Sequence, residues 1–357
     1  MRKIWRQGLR SLVPYDAGKP LEQLAAELGV PELARLSANE NPLGPSPRVV
    51  EAVAREAARV HLYPDGGATA LRAALARRLD VTPGELLVGN GADELIGLIA
   101  RAAFEPGDEV VVPEPSFEPY GISATIAGAR AVPSPLAGYA TDLEDVRRKV
   151  TDRTTAVMLC SPHNPTATIV REKPLRAFLD ALGDDPPLVI LDEAYRDFVD
   201  DPEYPDGVAL LRRHPRLILL RTFSKIAALA GLRVGYAVAR AETLDWLNRV
   251  REPYNVNRLG QVAALTALED EAHWERSRRF VIEERRFLSE GLGRRGYTFP
   301  PSQSNFLLVK VPEAAALREK LLRAGILVRD GADVGFPGHL RISVGLRATN
   351  EKLLSLL

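Results

Sequence analysis

Leu219 to Ala237 reads LLRTFSKIAALAGLRVGYA, and the way its apolar run ends sets the fold. Leu217 to Arg221 reads as a buried strand, and Thr222-Phe223-Ser224-Lys225 leaves its end. A cationic amine past a strand's carboxyl end, beside two hydroxyls, stands where open α/β sheets bind ligands. A lysine held in a partly apolar pocket near other cations can lose its proton and attack an aldehyde. Arg233 follows Lys225 by eight residues, and an arginine can hold a phosphate bidentately. Taken alone, a Ser-Lys pair is most simply a solvated loop lysine. The rest of the chain changes that reading.

Leu188-Val189-Ile190-Leu191-Asp192-Glu193-Ala194-Tyr195 places an aspartate at the carboxyl end of a second apolar strand. Such a carboxylate is costly to bury without a charged partner. A helix cap or a metal ligand would account for Asp192; a protonated pyridine nitrogen is a further partner, and a protonated ring is an electron sink. Together, Lys225, Asp192 and Arg233 point to pyridoxal 5'-phosphate, linked covalently to Lys225. Leu86 to Val88 is another short strand, and Gly89-Asn90-Gly91-Ala92-Asp93-Glu94 turns it into an apolar helix. Free N–H groups at a helix start suit a phosphate. Ala156 to Leu159 leads to Asn164, held between Pro162 and Pro165, and Glu109 to Val112 leads to Phe117, which as a bare residue reads as core.

A chain of 357 residues is long for one core, so two domains are expected. With 47 basic and 47 acidic residues the net charge is zero, which argues against nucleic acid and anionic membrane as partners. Cys160 is the only cysteine and the five histidines show no paired spacing, so neither a disulfide nor a metal site is expected. The basic start lacks the apolar core of a signal peptide, and no run is long enough to span a bilayer. A cytoplasmic protein is expected.

The run from Ser224-Lys225 through Ala230-Gly231-Leu232-Arg233-Val234-Gly235-Tyr236 resembles the lysine signature of the aspartate aminotransferase superfamily, fold type I of the pyridoxal-phosphate enzymes. Asn39-Glu40-Asn41-Pro42-Leu43-Gly44 is similar to the opening motif of its histidinol-phosphate aminotransferase branch, and the likeness extends from Pro14-Tyr15 to Arg341. It implies an α/β fold in which a large domain holds a mostly parallel seven-stranded sheet between helices, beside a smaller α/β domain. The expected division is an arm over residues 1–37 that contributes to the small domain and the dimer, a cofactor domain over 38–247 and a small domain over 248–357.

The resemblance also implies roles. Lys225 carries the cofactor and moves protons, Asp192 faces the ring nitrogen, and Asn164 and Tyr195 reach the phenolic oxygen O3′. Phe117 stacks on the ring at a position where many members carry tyrosine. Gly91, Ala92, Asp93, Thr222, Ser224 and Arg233 complete the cofactor set, with Tyr63 of Leu62-Tyr63-Pro64-Asp65 reaching the phosphate of a neighbouring subunit. That implies a homodimer. Tyr15, Asn41, Tyr254, Arg329 and Arg341 are the expected substrate residues. Ala167 stands where the family usually has glycine, which predicts a modest change of loop conformation. His163 replaces a common asparagine and is expected at the rim. The implied reaction is transamination between histidinol phosphate and 2-oxoglutarate, run biosynthetically from imidazole-acetol phosphate and glutamate. Aromatic amino acid aminotransferases are the near rival, since Arg221 to Lys225 and Pro300 to Phe306 suit them too. Threonine-phosphate decarboxylases and non-catalytic binding domains on this scaffold are more distant.

Overall fold

The computed structural model describes residues 4–14 and 19–357. Its larger sheet contains β2 (Leu86–Gly89), β3 (Glu109–Glu114), β4 (Arg130–Pro135), β5 (Thr154–Cys160), β6 (Leu188–Asp192), β7 (Leu217–Thr222) and β8 (Gly235–Val238). The order is β2-β8-β7-β6-β5-β3-β4, and β8 alone runs against its neighbours. The three central strands carry unbroken apolar runs, Ala156 to Cys160, Leu188 to Leu191 and Leu217 to Leu220, because helices cover both faces, as parallel sheets require. Alternate residues feed different cores. Val157, Leu159, Val189, Leu191, Leu217 and Leu219 lie in one; Ala156, Met158, Ile190, Ile218 and Leu220 lie in the other.

The strands expected to carry the site fall within a residue or two of their expected spans. The strand β4, RAVPSP, carries prolines at 133 and 135. Proline lacks the ladder donor and is tolerated at a sheet edge, and β4 is the edge strand.

The smaller sheet has the order β1-β10-β11-β9, from β1 (Ala34–Leu36), β9 (Phe306–Lys310), β10 (Ile326–Asp330) and β11 (His339–Ser343). β1 pairs parallel with β10, so the segment ahead of residue 38 adds an edge to this sheet. The helix Arg258–Glu269 packs elsewhere. Its Ala263, Ala264, Ala267 and Leu268 share a core with Val49, Leu71 and the large sheet, so the large unit extends past the expected cut at 247/248.

The helix Glu271–Arg294 makes the crossing between units. Trp274 touches the large core, while Leu288 and Leu292 fill the small one. Part of its charge is buried. Arg285 donates to Phe198 O (2.8 Å), Ser304 O (3.1 Å) and Asp200 Oδ1 (2.8 Å). Among the described residues no helix is long and apolar enough to cross a membrane.

Candidate functional site

The carboxyl ends of β5, β6 and β7 deliver the expected groups to one place. Strand alternation puts Asp192 on the side of Ile190, facing the helix Pro119–Ala127. There the Tyr120 hydroxyl donates to Asp192 Oδ2 at 2.7 Å, and the Ala194 N–H donates to Oδ1 at 2.9 Å. Asp192 is 3% exposed. Burial lifts its pKa to about 6, against the two hydrogen bonds, with Asp93 and Glu193 adding to the rise. Its partners are thus neutral, and a cation brought to this carboxylate would relieve the cost of burying it.

Lys225 follows β7, with Nζ 3.4 Å from the Ala38 carbonyl and 5.6 Å from the centre of the Tyr195 ring. Burial lowers its pKa to about 8; Arg341 and Arg233 push the same way, against Glu40 and Asp93. A neutral, nucleophilic amine is therefore accessible near neutral pH. Burial raises Tyr195 to about 12 in spite of the Arg341 charge, so its hydroxyl remains a donor.

Arg233 and the start of the helix Gly91–Ala103 form the phosphate side. Arg233 has φ +55°, and its Nη2 lies 3.1 Å from Asp93 Oδ2. A Cβ on Gly91, itself at φ +82°, would stand 2.7 Å from the same Nη2. A Cβ on Gly235 would meet Ala92 N at 2.8 Å. The two glycines let arginine and helix start approach each other, and the first-turn N–H groups of Gly91, Ala92 and Asp93 have no intrahelical acceptors. Thr222 braces the loop: its hydroxyl donates to Val234 O (3.2 Å) and accepts from Ser224 N–H (3.0 Å). Ser224 is buried beside it.

Phe117 is half-buried and meets Tyr120 edge to face at 5.5 Å. Asn164 Oδ1 accepts from Arg341 Nη1 at 2.8 Å, and the Arg341 Nη2 donates to Ser37 O at 2.8 Å. The Asn164 carbonyl oxygen is thereby engaged, which leaves its amide nitrogen as the donor. Arg341 on β11 pairs in register with Arg329 on β10. Arg329 also sits 3.3 Å from Asp333. Two guanidinium groups side by side make an anion-binding edge.

These residues meet the demands of pyridoxal phosphate on structural grounds: a buried carboxylate with neutral partners, an amine of lowered pKa, and a guanidinium against a helix start. Other expectations need correction. Asn41 was expected to touch substrate, but its amide donates to Ile226 O (3.0 Å) and Ser277 Oγ and accepts from Leu43 N–H (3.1 Å). It anchors the loop. His163 is 1% exposed rather than at the rim; its Nδ1 bonds the Thr166 hydroxyl at 2.9 Å, and burial lowers its pKa to about 4. Ala167 takes φ +62°, so the turn keeps a left-handed residue without glycine. Tyr63, expected to reach a neighbouring subunit, is 77% exposed in the single chain and stacks on Tyr254 at 4.6 Å. Tyr15 lies outside the described residues.

The sequence reading missed two residues. Tyr120 lies three positions after Phe117, at the start of a helix, and that spacing was its only signal. Asn39 donates from Nδ2 to the Tyr195 hydroxyl at 3.1 Å. The Asn39-Glu40-Asn41 run was legible as a motif, without a sign of which amide faces the site.

Comparison with known proteins agrees with this geometry. Residues 31–357 match the model of aminotransferase class I and II. A histidinol-phosphate aminotransferase of Anaeromyxobacter sp. is 47% identical over 97% of this chain and 96% of its own length. One from Moorella thermoacetica is 43% identical over 98% and 91%. Among solved structures, the Sinorhizobium meliloti histidinol-phosphate aminotransferase in complex with pyridoxal-5'-phosphate has a TM-score of 0.89 at 28% identity, covering 99% of this chain and 96% of that one. The aspartate aminotransferase of Thermus thermophilus with maleate has a TM-score of 0.83 at 27% identity, covering 100% and 99%. The chain belongs to the class I and II aminotransferases.

Proposed function

We propose that this protein is a pyridoxal-phosphate-dependent transaminase of histidine biosynthesis, converting imidazole-acetol phosphate and glutamate into histidinol phosphate and 2-oxoglutarate. The observation that carries the reading is the pair of ionisable groups past the ends of β6 and β7. Asp192 is a buried carboxylate with only neutral partners, and Lys225 is a half-buried amine made easier to deprotonate. Pyridoxal phosphate, when bound, supplies an aldehyde for the amine and a ring that takes up electrons. Asp192 holds the proton on the ring nitrogen. Lys225 would carry a proton to and from the substrate α-carbon. Arg233 and the N–H groups of Gly91 to Asp93 hold the phosphate, Phe117 covers the ring, and Asn164 and Tyr195 donate to O3′.

Both substrates carry a distal anion, phosphate in one and carboxylate in the other. The neighbouring guanidinium groups of Arg329 and Arg341 suit either. A homodimer in the cytoplasm is part of the same reading. A single chain leaves Trp5, Val13, Val60 and Tyr63 exposed, a set of apolar side chains that a second copy would cover.

The test is glutamate formation from 2-oxoglutarate by purified holoprotein, with histidinol phosphate or phenylalanine as donor. Histidinol phosphate is expected to give the higher kcat/KM. A wide preference for phenylalanine would move the protein to the aromatic aminotransferases while leaving the cofactor residues as assigned.

A further inference from the structure

β11 turns alternate side chains in opposite directions. Leu340 and Ile342 fill the small core, so His339, Arg341 and Ser343 face the large unit. His339 Nε2 bonds the Tyr139 hydroxyl at 2.9 Å, and Arg341 reaches Asn164. Ser343 reaches Asn39, which is 1% exposed at φ +54°.

Four hydrogen bonds fix Asn39. Its N–H donates to Ser343 Oγ at 2.9 Å, and that hydroxyl donates to Asn39 Oδ1 at 3.1 Å. Its carbonyl accepts from Asn305 Nδ2 at 3.0 Å. Its own Nδ2 then faces Tyr195 at 3.1 Å. The orientation of the amide follows from the serine: turned the other way, it would leave the Ser343 proton without an acceptor. Because Asn39 donates, the Tyr195 oxygen accepts in this bond and the tyrosine proton is left to be given elsewhere.

We propose that Asn39 is a positioning residue that aims the Tyr195 proton at the phenolic oxygen of the cofactor and strengthens that donation, with Ser343 tying this bond to the placement of the small unit. The proposal rests on the reading that pyridoxal phosphate binds here. A donor that itself accepts a hydrogen bond is polarised and donates better. The ionisable groups facing Tyr195 are Arg341 from β11, Lys225 after β7, Cys160 on β5 and Asp192 on β6. Ile226, Val281 and Phe306 close the rest of its surroundings with apolar surface.

The experiment is a pH titration of the visible absorbance of the holoprotein, for wild type, Asn39→Gly, Tyr195→Phe and the double variant. Glycine keeps the positive φ and removes the amide. Weaker donation to the phenolic oxygen should raise the spectral midpoint of Asn39→Gly by up to about one pH unit, and the substitution should add nothing in the Tyr195→Phe background. Asn39→Asp, which keeps the shape but can only accept the tyrosine proton when ionised, should raise the midpoint further and serves if the glycine variant does not fold. An unmoved midpoint with a lowered Tm would overturn the proposal. So would an equal shift with and without the Tyr195 hydroxyl. No visible band in the wild type would remove the cofactor reading itself, and this inference with it.

Discussion

Asp192 and Glu193 are adjacent carboxylates at the end of β6, and they have opposite surroundings. Asp192 turns toward Tyr120 and has only neutral donors. Glu193 turns to the other face and meets the Arg221 Nε at 2.7 Å, with both side chains almost fully buried. Burial works against the Arg221 charge, and Glu193 outweighs it, so the guanidinium stays protonated. The difference teaches how to read a buried charge. One whose counter-ion belongs to the chain fastens strands together, and one without it is poised for a cationic ligand.

The largest expected effect comes from Asp192→Asn. It removes the carboxylate that holds the ring proton, and kcat should fall by about 10³-fold, comparable to the loss of a key electrostatic stabiliser. The fold should survive. In the cofactor-free protein the raised pKa of Asp192 means that the folded state keeps a proton the unfolded state releases. Stability therefore falls as pH rises between about 4 and 6. Asp192→Asn should flatten that window, measured by urea midpoints across pH. A steep loss of stability at pH 7 would show that the two carboxylates do the same job.

Glu193→Ala should act in the reverse sense. It leaves Arg221 buried and unpaired, at a cost of about 3–5 kcal/mol, read from chemical denaturation. A double variant with Glu193→Leu and Arg221→Met should recover most of that loss, because neither charge remains. If Glu193→Ala were stable and inactive, the face assigned to structure would instead belong to the site.

How much of this was legible in sequence follows from the same geometry. A polar residue ending an apolar strand, as Asp192 and Lys225 nearly do, is visible because strand period and cost of burial speak together. Arg233 was visible through its motif. Tyr120 and Asn39 were not, since each acts across long sequence separations and a single side chain gives no sign of its target. Asn41 looked like a ligand residue because a buried amide and a binding amide have the same local sequence. The prolines of β4 sit in a strand that its edge position permits.

Ala167→Gly is the smallest expected change. A left-handed alanine costs about 1 kcal/mol, while its buried methyl contributes about 0.8 kcal/mol. The two nearly cancel, so the urea midpoint should move little. A loss above about 2 kcal/mol would mean that the methyl supports the loop of Asn164 more than backbone strain opposes it.

The central claim is that Lys225 is the amine that holds the cofactor opposite Asp192. Its most direct test is capture of pyridoxal phosphate by cofactor-free protein across pH, with borohydride reduction and peptide mapping of the label. The account predicts a label on Lys225 that is lost in Lys225→Ala, with a capture rate that climbs as pH approaches about 8 and levels above it. A label on another lysine, or a rate still climbing near the ordinary lysine pKa, would contradict it.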